Sequence, residues 1–166
     1  MKKLVAFYSR ADENYFGGSI KYVTIGNTEK AAKMISKITG ADLFKIEQKK
    51  PYAKDYNTCI KEAKKDLQTN ARPELVGLLD NLEQYDEIYL GYPNYWQTMP
   101  MAVYTFNFTG KIIHPFCTHE GSGLSSTEKD IRNAAQGAKV TKGLAITGSA
   151  VDNAQKIIER WISNEV

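Results

Sequence analysis

The chain has 166 residues with 22 lysines and arginines against 19 acids, a net charge of +3, and its lysines are interleaved with acids and aromatics. That length fits a single domain, residues 1–166, large enough for a real hydrophobic core, and the mixed charge argues against a nucleic-acid surface. Apolar runs are too short to cross a bilayer, the start MKKLVAFYSR turns polar too early for a secretory signal, and Cys59 and Cys117 lack CxxC or Cys/His spacing, so a soluble cytoplasmic protein with no membrane contact, disulfide framework or zinc site is expected.

Continuous apolar runs alternate with segments whose apolar positions recur every three or four residues, the pattern of a parallel sheet flanked by helices. Leu4 to Ser9 is a first strand, apolar on both faces as a strand between helix layers must be. A helix opens after Gly26-Asn27-Thr28 and buries Ala31, Met34, Ile35 and Ile38, with Gly40 placed for a left-handed C-cap. Asp42 to Glu47 alternates like an edge strand. From Tyr56 to Ala71 a thin stripe of Ile60, Ala63 and Leu67 predicts an amphipathic surface helix that Arg72-Pro73 ends. Glu87 to Pro93 and Lys111 to His119 are the third and fourth strands, and Pro115 predicts a bulge or local break in the fourth because it has no N–H to give. Ser125-x-x-Glu128 has capping-box spacing before a helix from about Thr127 to Gln136. Val140 to Thr147 is a fifth strand, and Ala154, Ile157, Ile158, Trp161 and Ile162 mark a closing helix.

Three loops follow strands whose C-terminal ends share one edge of such a sheet, the edge where open α/β sheets bind ligands. In the first, the free N–H groups and dipole of the helix after Gly26 favour an anion, and Ser9, Asn27 and Thr28 add side-chain donors around a phosphate. The same residues also read as a simple helix cap. In the second, Tyr92, Tyr95 and Trp96 surround Pro93 and offer flat apolar faces for a planar ring, or core packing. In the third, HEGSG lets backbone approach a ring edge. Together they describe a pocket for a phosphorylated planar heterocycle. Cys117 and His119 would share a face of a strand, but no third group orients them as a nucleophilic pair, and Ser122 does not sit in a G-x-S-x-G elbow. His114 reads as a packed or surface histidine.

The stretches VAFYSR, GNTEKAAKMI, LGYPNYWQTMPMAVYTF, FTGKIIHPFCTHEGSGLSSTEKDI and GLAITGS touch nearly the whole chain. In combination they resemble the flavodoxin-like FMN-binding proteins, in particular a bacterial subgroup with an extended first loop. The resemblance implies an α/β fold of three layers around a doubly wound, five-stranded parallel sheet in the order 2-1-3-4-5, and FMN as cofactor. Ser9, Gly26, Asn27 and Thr28 would match the phosphate loop. Pro93, Asn94, Tyr95 and Trp96 would flank the isoalloxazine on one side, and Thr118, His119, Glu120, Gly121 and Gly123 on the other.

The chain also departs from that pattern. Fifteen residues, ADENYFGGSIKYVTI, separate Arg10 from Gly26, and Ile25 replaces the hydroxyl that usually precedes the glycine. Tyr95-Trp96 stands where the subgroup has two tryptophans, and Thr105 to Lys111 is about four residues short by that resemblance, which predicts a truncated helix before the fourth strand. The family carries its electrons on the flavin, so no catalytic side chain is required. Two functions follow: a flavin-dependent reductase passing electrons from a nicotinamide to a quinone or similar small acceptor, or a one-electron carrier between partner proteins. Dedicated carriers are strongly acidic, and this chain is slightly basic, which favours the first. Tyr15, Phe16 and Tyr22 in the long loop are expected to close over the flavin.

Overall fold

The computed structural model describes residues 2–164. Its sheet is parallel throughout: β1 (Lys2–Phe7), β4 (Asp42–Lys45), β5 (Tyr85–Pro93), β6 (Ile112–His119), β7 (Lys139–Val140) and β8 (Leu144–Thr147), in the order β4-β1-β5-β6-β7 with β8 also on β6. With β7 and β8 counted as one interrupted strand, this is the order 2-1-3-4-5.

Alternation along the strands sends side chains to two helix layers. Leu4, Ala6, Ile88, Leu90, Tyr92 and Ile113 join one core with α3 (Met101–Thr105) and α4 (Thr127–Ala134). Val5, Phe7, Tyr89 and Phe116 join the other with α1 (Asn27–Thr39) and α5 (Gln155–Ile162). Gly40 caps α1 in the left-handed region, φ 73°, its N–H reaching the Ser36 carbonyl. Met34 and Ile38 are only partly buried, and α1 buries Thr28 and Ala32 beside Ala31 and Ile35.

Pro115 produces its break in the neighbouring strand. β6 keeps register with β5 through Leu90 and Pro115, yet it pairs with β7 only at Ile112 and Ile113 and with β8 only from Phe116 onward. Backbone groups in a strand alternate sides, and the Ile113 carbonyl already faces the fifth strand, accepting from Thr141 N–H. The missing Pro115 N–H therefore falls on that side, and Thr141-Lys142-Gly143 leaves the ladder opposite it.

Other expectations shift. α2 runs Tyr56–Gln68 with Asp55 as its side-chain N-cap, and its buried face is Cys59 and Ala63; Leu67 is exposed and Ile60 half-buried. The capping box before α4 does not form, because Glu128 Oε2 accepts instead from Gly143 N–H at 3.0 Å, 15 residues on. Ile157 points outward on α5. α3 is a five-residue helix as the short Thr105 to Lys111 segment predicts, and the rings of Phe106 and Phe108, 4.6 Å apart, are buried directly after it. The extended first loop is itself structured: β2 (Asp12–Phe16) and β3 (Ser19–Val23) form an antiparallel hairpin.

Candidate functional site

One cleft of about 390 Å³ opens at the C-terminal edge of the sheet. Its first end is the start of α1. Gly26 is the N-cap, with no side chain of its own to contribute, so neither Asn27 nor Thr28 acts as a cap. The capping acceptor arrives from the first strand: Ser9 Oγ accepts from Glu29 N–H at 3.0 Å, while the Ser9 hydroxyl proton remains available to a ligand. Thr28 and Thr118 share a 2.7 Å hydrogen bond that fastens α1 to the end of β6. Gly26 is required by close approach, since a Cβ there would run into the Arg10 carbonyl and Ser9 Oγ.

The aromatic loop forms the far end. Tyr95 and Thr98 exchange backbone hydrogen bonds of 2.8 and 3.1 Å around a two-residue turn in which Trp96 and Gln97 both hold positive φ, 52° and 67°. Non-glycine residues in that region carry strain, and such strain gathers at ligand sites. Asn94 holds the turn, accepting from Gln97 N–H through Oδ1 and donating through Nδ2 to the Gly123 carbonyl and Ser125 Oγ, each at 3.0 Å. Its side chain thus locks the second loop to the third, and its own N–H donates to the Thr118 carbonyl. Trp96 is 45 % exposed; its indole N–H donates to the Ile60 carbonyl on α2, and Lys64 Nζ lies 4.9 Å from its ring centre.

Along the third loop, His119 Nδ1 accepts from Gly121 N–H at 2.9 Å and Glu120 Oε1 accepts from Ser149 N–H at 3.1 Å. Burial lowers the His119 pKa, with Glu120 opposing it, so the ring favours its neutral form. Of the residues expected at the site, Ser9, Asn27, Thr28, Pro93, Asn94, Tyr95, Trp96, Thr118, His119 and Glu120 line the cleft. Gly26, Gly121 and Gly123 do not; Gly26 closes the cradle from behind, and the other two shape the third loop at φ 124° and 63°.

The long first loop was expected to cover the site with Tyr15, Phe16 and Tyr22, and Tyr15 and Phe16 do line the cleft, beside Asn14 of the insert and Arg10 just before it. The hairpin that carries them and the contribution of Tyr56, Cys59, Ile60 and Ala63 of α2 were not anticipated. The signal was present in Gly17-Gly18, flanked by DENYF and SIKYV: both glycines have positive φ, 62° and 86°, as a two-residue hairpin turn demands. Tyr22, at 68 % exposure, lies outside the cleft. Gly148, beyond the fifth strand, was also missed; a Cβ there would come within 2.7 Å of Asn27 Nδ2 and 2.8 Å of Glu120 Oε1.

Among the described residues two buried side-chain polar atoms lack a hydrogen-bond partner, Asn27 Oδ1 and the Tyr95 hydroxyl, and both residues line this cleft. A buried polar group left unpaired costs roughly 1–3 kcal/mol, so such groups normally have a partner to receive. Asn27 Oδ1, at the start of α1, is the acceptor that a ligand hydroxyl in the cleft would satisfy. Burial raises the Tyr95 pKa well above its usual value and pushes the Cys59 thiol up to about 11. Cys117 is pushed up to about 12 by burial and its thiol donates to the Gly123 carbonyl, so neither sulfur is a thiolate nucleophile near neutral pH.

The profile of the flavodoxin family matches residues 18–165. The chain belongs to the flavodoxin family. Among solved structures it is similar to a protein described as a flavoprotein from Bacteroides uniformis, at 25% identity over 98% of this chain and 97% of that one, with a TM-score of 0.75. A Bacteroides eggerthii flavoprotein follows at 23% identity, covering 95% and 98%, TM-score 0.69. A Lactobacillus acidophilus flavoprotein in complex with FMN matches at 20% identity, covering 92% and 97%, TM-score 0.64. No curated protein matches it.

Proposed function

We propose that this chain binds FMN in the cleft and acts as a reductase of small acceptors such as quinones, with a reduced nicotinamide as donor. The observation that carries the reading is that Asn27 and Trp96, far apart in sequence, line one cleft that combines a helix N-terminus with an aromatic surface. Bound FMN supplies the redox chemistry itself, accepting a hydride and passing electrons on.

The residues of this chain bind and orient. The start of α1 and the Ser9 hydroxyl hold the phosphate without a cationic side chain. Asn27 Oδ1 would be free to accept from a hydroxyl of the bound group. Tyr95 and Trp96 would flank its ring, with the His119 to Gly123 loop at the ring's edge. The fit rests on the unpaired Asn27 Oδ1 and on the tight packing at Gly26 and Gly148, where a side chain would press on Ser9 Oγ and on Asn27 Nδ2. The FMN complex of the Lactobacillus acidophilus relative supports the same cofactor. A small acceptor is favoured over a basic protein partner because the net charge is +3, and Tyr15 and Tyr56, ring centres 6.2 Å apart, extend the aromatic lining toward the opening.

Titration of the purified protein with FMN tests the first half: quenched flavin fluorescence at one equivalent is expected, and no change in absorption or emission would overturn the reading. Steady oxidation of NADH or NADPH that requires both the FMN-loaded protein and an added quinone tests the second. Loaded protein that binds FMN and supports no such turnover would leave the carrier role instead.

A further inference from the structure

Arg10 follows the phosphate-loop serine, and although its charge acts on the nearby Asp55, among the described residues no carboxylate lies within ion-pair distance of its guanidinium. Its Nε donates to the Glu13 carbonyl at 3.1 Å and its Nη2 to the Lys54 carbonyl at 2.7 Å, which fixes it between the hairpin and the start of α2. Both acceptors are neutral. The neighbouring acids are engaged elsewhere: Glu13 Oε2 accepts from Tyr56 N–H, Asp55 from Thr58 N–H, and Glu120 from Ser149 N–H. A full positive charge therefore stands in the cleft wall, partly buried and held in place.

Its backbone abuts Gly26 at the start of α1, while its side chain is held away toward Glu13 and Lys54. The two clamps anchor it beside α2, whose Tyr56, Cys59 and Ile60 line the cleft together with Tyr95 and Trp96. Arg10 thus lines the same cleft as the aromatic side chains that would flank a ring. Two electrons and one proton convert a neutral oxidised flavin ring into a monoanion, so a fixed cation favours the reduced state over the oxidised one.

Resting on the FMN reading above, we propose that Arg10 sets the redox balance of the bound flavin, holding the anionic reduced ring more tightly than the oxidised ring and so driving two-electron reduction by a hydride donor. Its carbonyl bonds also tie the hairpin to α2, and the test separates that structural role from the electrostatic one.

The experiment measures the two-electron midpoint potential of the FMN-loaded full chain by reductive titration against an indicator dye, for the unaltered protein, Arg10→Gln and Arg10→Lys, with dissociation constants for FMN and riboflavin. Arg10→Gln is expected to weaken binding of the reduced ring relative to the oxidised ring by about tenfold, which lowers the midpoint by about 30 mV for a two-electron couple. Arg10→Lys keeps the charge without the forked clamp and is expected to retain most of the original potential, even where its melting temperature falls. Equal potentials in all three proteins would overturn the proposal. So would an Arg10→Gln protein that loses FMN affinity in both redox states alike while binding riboflavin normally, because the arginine would then serve the phosphate. Failure of the unaltered protein to bind FMN would reject the cofactor reading itself, a result distinct from bound FMN with an unmoved potential.

Discussion

The two walls of the cleft are built differently. One is made of strand ends and the start of α1, and each part is tied to another element: Ser9 to Glu29, Thr28 to Thr118, Asn94 to Thr118 and Gly123. The other is the β2–β3 hairpin against α2, held together by bonds within itself, from Glu13 to Tyr56 and Lys54 and from Arg10 to Lys54. The first wall inherits the rigidity of a buried sheet, so it suits anchoring. The second is an added flap over the opening, so it suits control of access and environment.

The largest effect that would sharpen this contrast lies at Gly26. Gly26→Val would push side-chain carbons into the Arg10 carbonyl and Ser9 Oγ, opening the phosphate cradle. FMN affinity is expected to fall at least ~100-fold, about 2.7 kcal/mol, as read by fluorescence titration. Unchanged affinity would mean that the anchor lies elsewhere.

A smaller loss is expected from the other wall. Removing Asp12 to Lys21 takes away the lining of Asn14, Tyr15 and Phe16 and leaves Gly26, Thr28 and Thr118 in place. FMN should then bind roughly tenfold more weakly, about 1.4 kcal/mol, while NADH oxidation in the presence of quinone changes by more than affinity does. Equal losses of affinity for this deletion and for Gly26→Val would erase the division of labour between the walls.

The same contrast marks what the sequence disclosed. The anchoring wall was legible because each of its parts sits where a buried apolar run stops: VAFYSR, LGYPNYW and PFCTHEG announce strand ends, and strand ends in a parallel sheet share an edge. Residues that act there through backbone or through bonds to other loops were harder to read. Asn94 was placed at the ring, but its side chain is spent joining two loops. Gly148 follows the expected fifth strand and carried no signal of its own. The hairpin carried a local signal in Gly17-Gly18, but none of its strand positions is buried, so the apolar alternation that identifies a core strand is absent. On α2 Ala63 is buried as expected, but Cys59 is buried where Ile60 was expected and Leu67 is exposed, because a helix with so few apolar residues does not define its own face.

Trp96→Ala should cost less than either change above. The indole is about half exposed and tied to Ile60, and aromatic stacking contributes roughly 0.5–1.5 kcal/mol beyond area burial. A several-fold drop in FMN affinity with an altered flavin absorption band is expected, and the melting temperature without FMN should hardly move. A large fall in thermal stability would instead make Trp96 a structural clasp on α2.

The smallest effect comes from outside the cleft and serves as its control. His114 sits between Glu87, 2.6 Å from its Nε2, and Thr141, 2.8 Å from its Nδ1, with its ring stacked on Tyr89. Burial lowers its pKa below the ordinary value of 6.5, against the pull of Glu87. On acidification the unfolded chain takes up this proton first, so below about pH 6.5 the unfolded state binds more protons and stability falls, until the folded pKa is reached and the slope disappears. His119 shifts in the same direction, so the unaltered protein should lose melting temperature from both histidines between pH 7 and the folded values. His114→Gln should flatten part of that decline and leave FMN affinity at pH 7 unchanged, since His114 does not line the cleft. An affinity change as large as that of Trp96→Ala would show that the sheet beneath the anchoring wall transmits strain to it, and the two walls could no longer be treated apart from the core that carries them.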